Sequence, residues 1–179
     1  MIQMVRIGIS ILGAVLWFCV APLLAAEGTL TILHTNDLNG RFEQMIKAAA
    51  LKDQIRQAVG AVVLLDAGNV LSPREMDFDH QGQKASPTVD LMNQSGYDAW
   101  VLGAVELKMP RRSLTDFLRS ARLPVLGANI HQHQSGRMLF QVQPYSITRV
   151  GGLRVGILGL AQGGVDVIIG DPVRAARYY

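Results

Sequence analysis

Short apolar runs alternate with stretches of helical spacing along most of the chain. Continuous apolar and β-branched runs predict strands, and the run at 61–66 is typical of a strand buried on both faces. The predicted strands of this part lie at 29–34, 61–66, 99–102 and 124–130. Apolar positions that recur about every 3.6 residues predict helices between them, within 42–59, 86–96 and 110–122.

Local signals set the expected ends of these helices. Gly60 and Gly96 are helix stops, and Ser86 directly before a proline is a typical helix start. Ser113 is a candidate N-cap because Asp116 follows it at the spacing of a loose capping box.

The remaining segments are expected to contain loops and a hairpin. The stretch at 67–84 is polar with glycine and proline, so it predicts a loop, and 131–137 predicts a polar turn. Two further strands are expected at 138–150 and 153–160, joined by a Gly-Gly turn. Asp171 before a proline predicts the start of one more helix.

The order of these elements indicates an α/β fold. Strands and helices that alternate predict a mostly parallel sheet with right-handed crossover helices. In such sheets the functional side chains lie in the loops that follow the strands. In this chain the loops are 36–40, 67–71 and 103–106.

The first 26 residues have the features of a secretory signal peptide. Arg6 is their one charged residue, an apolar run follows it, and small residues end the segment near Ala26. The uncharged run is also long enough to span a bilayer, so a retained membrane anchor is the alternative. Lipidation at Cys19 is not favoured, because two bulky aromatic residues precede it. We therefore expect a signal peptide at 1–26 and one exported domain at 27–179, in the periplasm or outside the cell.

Charge and cysteine content exclude several kinds of function. The chain has 17 Lys and Arg against 14 Asp and Glu, a net charge of +3, and loss of Arg6 with the leader would leave 16 against 14. This balance, without a basic run and interleaved aromatic residues, argues against nucleic-acid binding. The single cysteine lies in the leader, so the mature domain would have no disulfide, thiolate zinc site or cysteine nucleophile.

The three strand-end loops share a pattern of acidic, amide and glycine residues. They read Asn36-Asp37-Leu38-Asn39-Gly40, Asp66-Ala67-Gly68-Asn69 and Leu102-Gly103-Ala104-Val105-Glu106. Their order and spacing resemble the calcineurin-like metallophosphoesterase superfamily, specifically its 5′-nucleotidase/2′,3′-cyclic phosphodiesterase group. Matching segments also occur at 96–99, 124–130 and 150–159, so the resemblance covers nearly all of the expected mature chain.

The resemblance implies a fold and a chemistry. The fold would be the first half of an α/β/β/α sandwich, in which two sheets pack face to face between helices. The site would use two metal ions about 3.5–4 Å apart, bridged by a carboxylate, to activate water and hold a phosphoryl oxygen. In the family, the first loop gives Asp-x-His, the second gives the bridging Asp, and the third gives an Asn ligand, a His for the leaving oxygen and a supporting Glu.

This chain departs from the pattern in all three loops. Asp37 and Glu106 are retained, whereas the substituted positions are Asn39 for the first-loop His, Asn69 for the bridging Asp, Ala104 for the Asn ligand and Val105 for the His. Two divalent ions at such a distance repel by about 19 kcal/mol at an effective dielectric of 20, and a neutral amide does not offset that repulsion. If a metal binds at all, we expect one divalent ion at Asp37, with Asn39 and Asn69 as degenerate ligands.

Other polar clusters have simpler interpretations. His131 and His133 would share a face of an extended segment and could hold a metal, although a solvated turn is favoured. The segment with Asp77, Asp79 and His80 is interpreted as a solvated loop rather than a metal loop. Two further residues, Asp37 and Asp66, could act as paired carboxylates in acid–base chemistry, but Asp66 is expected to cap its own turn.

Three functional hypotheses follow from the sequence. The leading one is an exported homologue of the 5′-nucleotidase group that is catalytically impaired or inactive. The second is a divergent phosphoester hydrolase, acting on a nucleotide or related phosphate ester, that uses one metal or a second chain. The third is a non-catalytic interaction module. With only the first half of the sandwich, one apolar sheet face would be uncovered, which predicts a homodimer or a second chain that covers it.

Overall fold

The structure is a computed structural model that describes residues 29–76, 86–132, 136–162 and 167–169. Several predictions fall outside these residues: the signal peptide at 1–26, the acidic segment with Asp77, Asp79 and His80, the histidine His133, and the helix at Asp171. Within the described residues, no helix is both long and apolar enough to cross a membrane.

Nine strands and five helices are present in the described part of the chain. The strands are β1 (Thr31–Thr35), β2 (Val62–Asp66), β3 (Ala99–Val101), β4 (Val125–Leu126), β5 (Ile130–Gln132), β6 (Val142–Gln143), β7 (Tyr145–Val150), β8 (Leu153–Leu158) and β9 (Val167–Ile169). The helices are α1 (Phe42–Val59), α2 (Pro73–Met76), α3 (Pro87–Gln94), α4 (Ala104–Leu107) and α5 (Arg111–Ser120).

One parallel sheet organises the fold. Its strand order is β1-β2-β3-β4-β6, and β5 with β9 and β7 with β8 form two antiparallel pairs. In the register, Thr35 lies beside Asp66 and Asp66 beside Trp100, so the carboxyl ends of β1, β2 and β3 lie at the same edge. The predicted α/β class with a mostly parallel sheet is confirmed.

The core lies between this sheet and its helices. Helix α1 packs on β1 and β2, and α3 contacts both α1 and α5. The largest side chains that are fully buried include Trp100, Met45, Leu64, Met92 and Leu126. Each such side chain contributes about 1.5–3 kcal/mol through burial, so the strand ends that carry the candidate site rest on a well-packed support.

Two predicted strands are each divided by the tertiary structure. The strand expected at 124–130 is interrupted by a turn in which Ile130 N donates to Gly127 O at 3.1 Å, and its two parts, β4 and β5, join different sheets. The strand expected at 138–150 is broken at Pro144 into β6, which pairs with β4, and β7, which pairs with β8. The polar turn expected at 131–137 is wrong at its start, because His131 and Gln132 belong to β5.

The predicted helices agree with the structure more closely than the predicted strands do. One helix start is confirmed, one predicted cap is wrong, and two short helices were not predicted. Ser86 caps α3 as predicted, since its Oγ accepts from Val89 N at 3.2 Å. The predicted cap at Ser113 is wrong, because α5 already begins after Pro110, which makes no side-chain capping bond. Helices α2 and α4 lie in segments expected to be loops. Each has four residues, too few to show a helical period.

In the part of the chain that the structure describes, β1 is an edge strand and is covered on one face only. Its residues alternate between partly buried and exposed, and Ile32 is 59% exposed. Val63, the residue of β2 that pairs with Ile32, is only 1% exposed. Whatever covers this face of β2 therefore does not extend over β1.

Candidate functional site

Backbone hydrogen bonds join the first two strand-end loops directly. Asp37 N donates to Gly68 O at 2.9 Å, and Asn39 N donates to Asn69 O at 2.9 Å. Gly40 N donates at 2.8 Å to the carbonyl oxygen of Val70, the residue that follows Asn69. Parallel strands with aligned ends explain this, because the loop after β1 continues alongside the loop after β2. The loops predicted to meet at one edge of the sheet therefore do meet there.

Glu106 holds the second loop against the third. Its carboxylate is fully buried and accepts four backbone N–H groups, from Asn69 and Gly103 on Oε2 and from Val70 and Leu71 on Oε1, at 2.8–3.1 Å. A buried carboxylate needs such donors, since an unsatisfied buried charge is very costly. The supporting role that the resemblance implies for Glu106 agrees with this geometry.

The side chain of Asn69 connects all three loops. Its Oδ1 accepts from Val105 N at 2.9 Å, at the start of α4. Its Nδ2 donates to Asp37 Oδ1 at 2.7 Å, in the loop after β1. The remaining oxygen of Asp37 accepts from Asn36 Nδ2 at 2.8 Å. Both carboxylate oxygens of Asp37 are therefore engaged by amide donors.

The backbone at these positions has an unusual conformation. Asp37, Asn39 and Asn69 all have positive φ, of 53°, 47° and 57°. Asn and Asp tolerate this left-handed region better than other non-glycine residues, because their short polar side chains bond to the nearby backbone. Asn39 does so here: its Nδ2 donates to Asp37 O at 2.9 Å. Amide residues at positions 39 and 69 are thus compatible with the turn geometry.

Gly103 lets the second and third loops approach closely. A Cβ atom placed on it would lie 2.3 Å from Asn69 N and 2.4 Å from Asn69 Oδ1. Any larger residue would push Asn69 away from Glu106 and Asp37. Glycine is therefore required here for packing.

Asp66 lies behind this network and has its own partners. Its Oδ1 accepts from Gly68 N at 2.8 Å, which confirms that it caps its own turn. Its Oδ2 accepts from Thr35 Oγ1 at 2.6 Å, and that hydroxyl also contacts Tyr97 Oη at 3.1 Å. Burial raises the pKa of Asp66 to about 7, against the opposing effect of these hydrogen bonds. Asp66 and Asp37 use different partners, so they do not form a hydrogen-bonded carboxylate pair.

Asp37 differs from Asp66 because it faces solvent. The hydrogen bond from Asn69 is the largest effect that lowers the pKa of Asp37, followed by the bond from Asn36. The side chain of Asp37 is therefore a carboxylate at neutral pH, whereas Asp66 is near the midpoint of its titration.

The arrangement does not fit the metal centre that the resemblance implies. Where the family has the bridging carboxylate, this chain has the neutral side-chain amide of Asn69, and its NH₂ group points at Asp37. An N–H donor repels a cation. The described residues contain no group of three or more His, Cys, Asp or Glu side chains arranged for a metal ion. Val105, at the family's histidine position, is apolar and donates only its backbone N–H. Sequence reasoning placed Asp37, Asn39 and Asn69 together correctly, but their use as metal ligands remains a prediction.

Two further polar clusters were not identified from the sequence. Glu75 accepts from Ser72 N at 2.9 Å and Thr88 Oγ1 at 2.5 Å, and also from Ser86 Oγ. Burial raises the pKa of Glu75, but these bonds outweigh burial and leave it below the ordinary value. An isolated acidic residue in a polar stretch of sequence does not indicate that its carboxylate will be buried and hydrogen-bonded.

The second of these clusters is an ion pair between a buried lysine and a partly buried aspartate. Lys52 Nζ, on α1, donates to Asp98 Oδ2 at 2.7 Å, and the same oxygen accepts from Leu64 N at 2.7 Å. Lys52 is only 3% exposed. The helical spacing of the neighbouring apolar residues could have suggested that Lys52 is buried. It could not identify the partner, which lies 46 residues away in the sequence.

Comparison with known proteins gives relatives of one kind. No protein-family model matches the chain. It is 36% identical over 143 residues to a 5′-nucleotidase of Vibrio cholerae, an alignment that covers 73% of this chain and 25% of that protein. The solved structure of a 5′-nucleotidase precursor from Thermus thermophilus matches 83% of this chain and 33% of its own, with a TM-score of 0.68 and 28% identity. A calcineurin-like phosphoesterase from Bacillus subtilis matches 83% of this chain and 56% of its own, with a TM-score of 0.66; at 21% identity this supports the fold alone. The chain spans about a quarter of the length of the curated relatives that it matches.

Proposed function

We propose that this chain, a homologue of 5′-nucleotidases with the fold of calcineurin-like phosphoesterases, is an exported domain that does not hydrolyse phosphate esters by itself. The observation that carries the proposal is the hydrogen bond from Asn69 Nδ2 to Asp37 Oδ1. Where the family's chemistry needs a carboxylate that bridges two metal ions, this chain has an amide donor. Neither a metal-bound nucleophile nor a proton donor for the leaving oxygen is then available from the three loops.

The loss extends to the residue that would assist the leaving group. Val105 can neither give nor accept a proton through its side chain, and Ala104 has no ligand atom. Because the substitutions affect metal binding and proton transfer together, restoring one residue would not restore turnover. This distinguishes the proposal from a simple weakening of the metal site.

The activity test uses the chain after expression with its own leader. Purified protein is incubated with AMP, a 2′,3′-cyclic nucleotide or p-nitrophenyl phosphate, in the presence of Mn²⁺, Mg²⁺ or Zn²⁺. We expect no hydrolysis above that of an Asp37→Ala control, measured as phosphate from AMP, nucleoside monophosphate from the cyclic nucleotide and p-nitrophenol from the aryl ester. Metal-dependent hydrolysis that disappears in Asp37→Ala would contradict the proposal and favour the divergent one-metal hydrolase.

Export is proposed from the leader at 1–26 and from the kind of relatives that the chain has. Cell fractionation and amino-terminal sequencing provide the test. We expect the mature chain to begin at or next to Glu27 in the exported fraction. A chain that keeps its first residues and stays with the membrane would instead support the retained anchor.

A second candidate function is binding of another polypeptide at the edge strand β1. Ile32 is exposed while its neighbour Val63 is buried, and within the described residues β1 has a sheet neighbour on one side only. We propose that the occupant is polypeptide that corresponds to the part of the relatives not spanned by this chain, because the match covers only a quarter of their length. Exposed apolar side chains also occur on β7, including Ile147 at 56%.

Light scattering and dye binding test this second candidate. The chain alone should be monomeric and should bind an apolar dye, and Ile32→Lys should reduce the dye signal. Addition of the remaining part of a relative, made as a separate polypeptide, should reduce it further. A stable homodimer that does not bind dye would overturn the choice of occupant.

A further inference from the structure

We infer that the side-chain amide of Asn69 replaces a metal ion as the cross-link between the three strand-end loops, so that the site is held together without metal. This inference concerns the same site as the proposed function and deepens it. It makes a claim about stability rather than turnover, and it can therefore fail separately.

The orientation of the amide is fixed by its partners. The backbone N–H of Val105 can only donate, so the atom of Asn69 that it meets at 2.9 Å must be the acceptor Oδ1. The NH₂ group then faces Asp37 Oδ1 at 2.7 Å, a short distance that is typical of a charge-assisted bond. One neutral side chain thereby bonds to the loop after β1 and to the start of α4.

An aspartate at position 69 would have the opposite effect without metal. One of its oxygens could still accept from Val105 N, but the other would face the carboxylate of Asp37 at hydrogen-bond distance. Two like charges so close disfavour each other, and a cation between them would be needed to keep the loops together. The amide removes both the repulsion and the need for the cation.

The rest of the site is consistent with closure by the protein alone. Three backbone bonds join the loop after β1 to the loop after β2, and Glu106 joins the latter to Gly103. Asn69 has positive φ, and the oxygen side of its amide lies against Gly103, where even a Cβ would lie 2.4 Å from Oδ1. These contacts hold the amide in the geometry that the cross-link requires.

Thermal unfolding with EDTA or with millimolar Mn²⁺ tests the inference on the full chain. The wild type should have the same Tm in both conditions. Asn69→Asp should lower Tm in EDTA by about 2–5 °C, and Mn²⁺ should recover most of that loss. Asn93→Asp is the matched control: Asn93 also links two segments, with Nδ2 on Ser120 O and Oδ1 on Arg122 N, but among the described residues no carboxylate faces it through a hydrogen bond. It should lower Tm equally in EDTA and in Mn²⁺.

Two outcomes would overturn the inference. One is a saturable rise of the wild-type Tm with Mn²⁺ that EDTA reverses. The other is an Asn69→Asp variant as stable in EDTA as the wild type. If Asn69→Asp does not fold, a cycle of Asn69→Ala, Asp37→Ala and the double variant decides. Non-additive Tm changes support the cross-link and additive ones contradict it. Hydrolysis in the activity assay would contradict the proposed function but would leave this result unchanged.

Discussion

Asp66 should make the protein less stable as the pH rises from about 4 to about 7. Burial raises the pKa of this carboxyl from 3.8 to about 7 in the folded state. Between these values the folded state holds a proton that the unfolded state has released, so the free energy of unfolding falls with increasing pH. The interval is about 3 pH units, and at about 1.4 kcal/mol per unit its full effect is about 4 kcal/mol.

Asp66→Asn should remove this dependence with little change in structure. The new carbonyl oxygen can accept from Gly68 N, and the new NH₂ group can donate to Thr35 Oγ1, which then donates to Tyr97. The variant therefore mimics the protonated acid. At pH 8 it should be more stable than the wild type by up to about 4 kcal/mol, whereas at pH 5, about 1.2 units above the unfolded value of 3.8, the difference should be only about 1.6 kcal/mol.

Urea unfolding of both proteins at unit steps from pH 5 to pH 8 provides the measurement. The difference between the two curves isolates residue 66, because every other group is common to both. Asp53→Asn, at an exposed position on α1, is the control and should keep the wild-type slope. Parallel curves for the wild type and Asp66→Asn would refute the reasoning.

Four further changes test other parts of the site and its support. Lys52→Met should lower the free energy of unfolding by about 2–3 kcal/mol, because the carboxylate that it pairs with stays partly buried without a counter-charge. Glu106→Gln should cost about 3 kcal/mol, since its amide can accept only two of the four backbone N–H groups. Gly103→Ala should cost at least about 2 kcal/mol, because its Cβ would lie 2.3 Å from a backbone nitrogen. Asn69→Ala should raise the pKa of Asp37 towards 3.8, as measured by NMR titration, and should narrow the range of low pH over which that carboxylate stabilises the fold.

Matched variants control for the nature of each substitution. Lys47→Met and Glu43→Gln change exposed residues of α1 and should each alter stability by less than about 0.5 kcal/mol. Gly156→Ala adds a Cβ where no atom lies within 4 Å and should have a similarly small effect. If a control destabilises as much as its partner, the structural reason given for that partner is wrong. For Asp37, an unchanged titration in Asn69→Ala would contradict the role of the amide.

The low-pH behaviour of Asp37 has the opposite sign to that of Asp66. A lowered pKa means that the folded state releases its proton more readily than the unfolded chain. The resulting stabilisation is fully present above the ordinary value of 3.8 and is lost as the pH falls through the folded pKa. The two residues should therefore act at different ends of the stability profile, and Glu75, whose pKa is also lowered, should act at the low-pH end with Asp37.

The sequence by itself determined the class of fold, the family resemblance and the set of loops that meet at one edge of the sheet. Helix α1 at Phe42–Val59 has the predicted bounds, because its apolar spacing and Gly60 are local signals. The loops after β1, β2 and β3 were identified because strand ends in a parallel sheet share one edge. The resemblance to 5′-nucleotidases, drawn from short motifs in those loops, agrees with the relatives found by comparison. Asp66 was correctly expected to cap its own turn, an interaction that spans only two residues.

Tertiary structure alone decided how the segments are divided and what the polar groups do. The stretch at 124–130 has a continuous strand pattern, yet a turn at Gly127 sends its two halves to different sheets, and Pro144 divides the next strand in the same way. The opposed pKa shifts of Asp37 and Asp66 arise from the amide hydrogen bonds to Asp37 and from the burial of Asp66, neither of which the amino-acid sequence shows. Asn69 bonds to Asp37 and Val105 across 32 and 36 residues of sequence. Such contacts depend on how the loops fold against one another, so the sequence could identify an altered residue at position 69, but only the structure shows that its amide joins all three loops.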